Sequence, residues 1–168
     1  ELFIKPRREN LGEAERVMVE KDSFYDYLLY LTAPIQIATL IFFLIQIQDA
    51  QLATSDLVGR ILAMGLMCGV LGINVGHELG HRPPGLAHRL GEILMLTSLE
   101  NHFIPYHNLG HHLNVATPED GATARINQSV YSFWFTSITK QYLDAWKRQK
   151  IILETQKKSF FSLKNDMI

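Results

Sequence analysis

Five of the seven histidines fall into two short clusters, His77 and His81 in GHELGH and His107, His111 and His112 in HNLGHH. Imidazoles four positions apart share one face of an α-helix, so His77 pairs with His81 and His107 with His111, and each pair can hold an ion. On such a helix His112 is turned by about 100° from His111, which aims it at a different neighbour, a second metal ion. Imidazole accepts zinc, copper, iron and nickel, so residue type alone does not select the element. The number of ligands is more selective. A catalytic zinc uses about three protein ligands and keeps one position open, and five clustered histidines exceed that need.

GHELGH also contains HExxH, the helix signature of zinc proteases, in which Glu78 would act as the general base. In a centre built from many histidines, Glu78 instead orients a ligand or stays outside the contacts to metal. His88, in GLAHRLG, reads as a solvated or headgroup-facing side chain. His102 lies five residues before His107, off its helical face, and at most supports a ligand from behind. The stretch ATPED has two compatible readings. Thr117 can cap a helix whose first residue is Pro118, with Glu119 and Asp120 at its positive end. The same two carboxylates can also hold metal-bound histidines through their outer nitrogens.

Two apolar runs must position these groups. Residues 27–47 (YLLYLTAPIQIATLIFFLIQI) carry no formal charge over about the length that crosses a bilayer core. A second uncharged run, ILAMGLMCGVLGINVG, extends the next span to about residues 58–81 and ends on the first histidine pair. The polar connection DAQLATSDLVG between them suits a hairpin. Gly65, Gly69, Gly72, Gly76 and Gly80 recur every three or four residues. They leave one face of the second helix bare for a neighbouring helix or for a substrate chain. Pro83 and Pro84 break the helix after His81. Residues 86–99 are too short to span and read as an interfacial or re-entrant helix. Residues 127–158 mix aromatic and basic side chains, as a helix at headgroup level or on an ordinary surface does.

The fold class expected is therefore all-α, a membrane helical hairpin with interfacial helices and a His-rich region over residues 82–168. A hairpin buried inside a soluble domain is the competing architecture. Five Lys or Arg residues precede the first span (Lys5, Arg7, Arg8, Arg16, Lys21), only Arg60 lies between the spans, and ten follow from Arg82 onward. The positive-inside rule then puts both flanks and the histidines on the cytoplasmic side. The net charge of −1 gives no basic field, and no nucleic-acid partner is expected. The single Cys68 excludes an internal disulfide or a CxxC site. The opening ELFIKPRREN has neither Met nor a signal-peptide pattern, so the chain reads as an internal piece of a longer protein.

HELGH at the end of a membrane helix, HNLGHH about 25 residues later, then NVATPEDGATAR and VYSFWF, resembles the integral-membrane alkane monooxygenases. These belong to the membrane fatty-acid desaturase and hydroxylase superfamily. The likeness reaches upstream through DSFYDYLLYLTAPIQ and downstream to SFFSLKNDMI. It implies a six-helix bundle in the bacterial inner membrane with two non-haem iron ions held by about nine histidines. Oxygen from O2 enters a terminal methyl group of an alkane that arrives from the bilayer. Rubredoxin supplies electrons and is itself reduced by rubredoxin reductase, and a basic patch at Lys147 and Arg148 can dock an acidic rubredoxin. Carried onto this chain, the iron ligands are His77, His81, His107, His111 and His112. The family's second motif usually opens with Glu, where this chain has Tyr106. Its remaining histidine motifs follow two further membrane helices and would lie beyond Ile168, so about half of the ligand set is expected here. Within the superfamily a desaturase or a hydroxylase of lipids or aromatic compounds also fits. An intramembrane zinc metalloprotease and a truncated piece without catalysis are the readings from other classes.

Overall fold

The computed structural model describes residues 12–168, and every regular element among them is helical. Lys5, Arg7 and Arg8, which enter the topology argument, lie outside the described residues. A short helix α1 (Glu13–Glu20) precedes α2 (Ser23–Gln46), whose N-terminus is closed by the Asp22 carboxylate accepting from the Phe24 amide at 2.9 Å. Helix α2 continues through Pro34 and stops at Gln46. There Arg60 Nη1 donates to the Gln46 carbonyl at 2.8 Å, so the one base between the spans neutralises the exposed carbonyl end of the first.

Helix α3 (Thr54–Met67), a π-helical segment (Cys68–Asn74) and α4 (Val75–Gly80) form one continuous 27-residue helix that carries the first histidine pair. Both long helices are apolar and long enough to cross a membrane, and only 11% of each apolar window is buried. Phe42, Leu62 and Leu66 project outward. A hairpin sequestered in a soluble core would bury these side chains. An all-α integral membrane protein leaves them to lipid or to further helices.

Helix α5 (Leu86–Thr97) turns back beside α4 and packs on α2 and the π segment as well. At its end the Ser98 hydroxyl donates to the Cys68 carbonyl, and Thr97 Oγ1 accepts from the buried Gln36 amide. The glycines explain how closely it approaches. A Cβ on Gly91 would stand 2.9 Å from Gly76 O, and one on Gly72 would collide with the Ser98 hydroxyl. Gly72 and Gly76 are therefore filled by α5, and Gly80 by Ile104, which corrects the expectation that this stripe leaves room for substrate. Only Gly65 and Gly69 of the five face open space.

The chain returns through α6 (Phe103–Tyr106), a second π segment (His107–His111) and α7 (His112–Asn114). Residues 115–129 form turns before α8 (Val130–Thr155), which Ser129 caps by accepting from the Ser132 amide at 3.2 Å. Thr117 therefore caps no helix. Its hydroxyl donates to the Asn114 carbonyl at 2.7 Å, and Pro118 to Asp120 make a turn. The buried side chains fall into one cluster around Ala33, Leu79 and Leu94 between α2, α4 and α5. A second, around Tyr106, Ala145 and Met167, fixes α6 to α8.

Candidate metal centre

The first pair sits on ordinary α-helix, where positions four apart align, and His81 Nε2 lies 2.8 Å from His77 Nε2. His107 Nε2 is also 2.8 Å from His77 Nε2, across thirty residues of sequence, and His112 Nε2 is 3.0 Å from His107 Nε2. Three ring nitrogens, from His77, His81 and His107, thus lie within 4.8 Å of one another, and His112 joins them through His107. Spacing on an α-helix pairs His107 with His111, and although HNLGH is π-helical the two rings still stack, with centroids 5.1 Å apart. The widened turn also brings the His112 ring edge-on to His107, with centroids 4.6 Å apart.

His111 faces Asp120, donating from Nδ1 to Oδ2 at 2.9 Å. Asp120 is buried, and its two oxygens also accept from the hydroxyls of Tyr106 and Thr123 and from the Ala122 amide at 3.0 Å. Burial alone would raise the carboxyl. The hydrogen bonds from Thr123, Tyr106, Ala122 and His111 outweigh it and hold Asp120 down at about 2. Burial, with Asp120 as partner, pushes the Tyr106 phenol up to about 12. A charged Asp120 fixes the proton of His111 on Nδ1 and leaves its Nε2 as a lone pair.

The other nominated residues part company. Glu78 is exposed and pairs with Arg82 at 3.3 Å, and Arg82 reaches Asp26 at the same distance, so its carboxylate serves a helix contact. Glu119 is exposed, unlike its neighbour Asp120. His102 is buried against Glu100 and the Tyr142 ring, and burial holds its pKa low. His88 is half-buried, with Nδ1 3.2 Å from the Arg82 carbonyl and Nε2 facing Glu92, so it closes the turn after His81.

Several supporting residues escape a reading of the sequence. Phe103 stacks on the His107 ring and meets the His77 ring edge-on, forming an apolar wall. Asn108 Nδ2 donates to the Gly80 carbonyl at 2.9 Å and ties the two histidine motifs together. Arg148 on α8 donates to the Leu109 carbonyl, and Asn114 to the Gly110 carbonyl at 3.0 Å, satisfying acceptors in the π turn. Arg148 also holds Asp144 at 2.7 Å. It thus braces the π turn against α8, beside the exposed Lys147. Asn108 alone carried a signal, as a polar side chain inside the motif.

The donor set suits a cation. Nitrogen atoms 2.8–3.0 Å apart are spaced like adjacent ligands around one ion with metal–nitrogen bonds of ~2.0–2.1 Å. Burial first, and then the charges that His77, His112, His81 and His111 would carry, lower His107 to about 3. It therefore offers a neutral lone pair at ordinary pH.

Residues 56–166 match the fatty acid desaturase family. The chain belongs to that family. Among curated relatives, alkane 1-monooxygenase 1 of Alcanivorax borkumensis is 33% identical over 150 residues, covering 89% of this chain and 37% of the relative. Alkane 1-monooxygenase of Pseudomonas putida is 32% identical over the same shares. The xylene/toluene monooxygenase hydroxylase component of Pseudomonas putida is 29% identical over 146 residues, 84% of this chain and 39% of the relative. The chain thus spans little more than a third of the length of its desaturase-family relatives. All five clustered histidines and Asp120 lie inside the matched segment. The zinc protease reading does not survive: the family is a different one, and Glu78 is held by Arg82.

Proposed function

We propose that the complete protein is a membrane monooxygenase that hydroxylates the terminal methyl group of alkanes to 1-alcohols, using O2, two non-haem iron ions and electrons from rubredoxin. The observation that carries this reading is the convergence of His77, His81 and His107, from two motifs, at the end of an apolar helix long enough to cross a membrane. The alkane monooxygenase relatives support the substrate class. By the charge count, the histidines face the cytoplasm of a bacterial inner membrane, where rubredoxin and its reductase operate.

When bound, the iron ions supply the activation of O2 and the oxygen insertion. The protein's own residues do the rest. His77, His81 and His107 would hold one ion as neutral ligands, so little of its positive charge is cancelled. Asp120 keeps His111 in the tautomer that offers Nε2 to the second ion. Phe103 shields the rings of His77 and His107 from water. The outward apolar faces of α2 and α3 keep the approach to the centre in hydrocarbon, so an alkane need not cross water to reach it.

The test is expression of the full reading frame with rubredoxin, rubredoxin reductase and octane. Formation of 1-octanol is expected, and iron-loaded protein that yields none would sink the proposal. The xylene/toluene relative favours a second reading, oxidation of a methyl group on an aromatic ring. Competition between octane and p-xylene separates the two by which alcohol dominates.

A further inference from the structure

Tyr106 precedes His107 in sequence, and the same turn aims the two side chains in opposite directions. His107 enters the histidine cluster, whereas the Tyr106 ring is buried against Ala145 and Met167. The cradle fits that ring closely. A Cβ on Gly110 would stand 2.9 Å from Tyr106 Cδ2, and one on Gly121 would stand 3.3 Å from its hydroxyl oxygen. The hydroxyl donates to Asp120 Oδ1 and accepts from the Ala122 amide at 3.0 Å, so it is fixed from two sides. Asp120 Oδ2 receives His111 Nδ1 and the Thr123 hydroxyl. A line of hydrogen bonds therefore runs from the phenol through one carboxylate to the imidazole stacked on His107.

We infer that Tyr106 is a positioning residue for the metal centre: its hydroxyl clamps Asp120, and through it the ring orientation and tautomer of His111. The inference rests on the metal-centre reading above and assigns a role to the position where this chain carries a phenol. Ring and hydroxyl have separable duties. The ring fills the space between α6 and α8, and the hydroxyl stops the carboxylate from rotating away from His111. Removing a group that orients a histidine ligand typically weakens metal binding by about 10–100-fold.

The experiment uses the full-length protein in membranes or detergent. Iron content and the free-iron concentration giving half occupancy are measured for wild type, Tyr106→Phe and Thr123→Val, with the melting temperature of each metal-free protein alongside. Tyr106→Phe keeps the packing and is expected to lower iron affinity about 10-fold at one of the two sites while the metal-free melting temperature holds. Thr123→Val, which removes the hydroxyl from the other oxygen of Asp120, is expected to act in the same direction. Equal iron affinity in wild type and both variants would overturn the inference and leave the metal centre standing. Wild-type protein that binds no iron would overturn both. If Tyr106→Phe does not fold, Thr123→Val decides alone: unchanged affinity overturns the clamp and a roughly 10-fold loss supports it.

Discussion

Gly76 and Gly91 meet backbone to backbone, with a Cβ on Gly91 only 2.9 Å from the carbonyl oxygen of Gly76 and 2.9 Å from the amide of Gly80. Because these atoms belong to main chain, neither can swing aside. The contact holds α4, and hence His77 and His81, at a fixed height against α5.

Gly91→Ala is therefore expected to push α5 from α4 and destabilise the protein by ~1–3 kcal/mol, the usual range for overpacking. Iron retention should fall with it, because His77 shifts relative to His107. Gly65→Ala, where the added methyl meets open space, is the matched control. Thermal melting and iron analysis of both variants check the point. Equal behaviour would mean that the helix crossing does not position the histidines.

His107 supplies a pH prediction. Its folded value of about 3 lies below the ordinary 6.5, so the unfolded chain binds a proton that the folded chain refuses. Stability from this group is complete above about 6.5 and is lost as pH falls toward 3. The metal-free protein should therefore melt at progressively lower temperature on acidification through this window, and His107→Phe should flatten the trend. Thermal melts of the metal-free protein across that range provide the check, and a melting temperature that rises on acidification would contradict the assignment.

The histidine motifs, the two spans and the break after His81 are legible because each is written in residue type and spacing. The alignment of His107 with His112 is not. It depends on a π register that local composition does not announce, since a helix widened by one residue per turn looks like an α-helix in sequence. The glycine stripe was ambiguous for a related reason: a bare helix face suits a helix or a substrate, and only the path of α5 decides. Asp120 and Glu119 are adjacent and chemically alike, yet one is buried beneath His111 and the other exposed, which follows from a turn where a helix start was expected. Tyr106 looked like the loss of a carboxylate, and its partner Asp120 lies fourteen residues downstream.

Arg148 tests whether α8 supports the π turn. Its guanidinium bridges Asp144 and the Leu109 carbonyl, and a hydrogen bond to a charged group contributes about 1.5–3 kcal/mol. Arg148→Met should lower the melting temperature and the iron content together. Lys147→Glu, on the exposed side of the same helix, should change neither, and is left to report on electron-donor docking through the salt dependence of turnover. Arg148→Met with full iron content and weakened rubredoxin affinity would assign the docking role to this residue.

The division of the histidines makes the last prediction the sharpest. His107 is the central member of the cluster, within 3.0 Å of both His77 and His112, whereas His111, stacked on the His107 ring, directs its Nδ1 to Asp120. In full-length protein, His107→Ala should remove two contacts at once and empty the site it forms with His77 and His81. His111→Ala should spare that site and weaken only its neighbour. Iron per protein is then expected to drop further in His107→Ala than in His111→Ala, with His88→Ala, whose ring faces Glu92, matching wild type. Iron analysis with Mössbauer spectroscopy distinguishes a residual single site from uniform partial occupancy. Equal loss in His107→Ala and His111→Ala would show that the two motifs share their ions differently from the arrangement of their ring nitrogens.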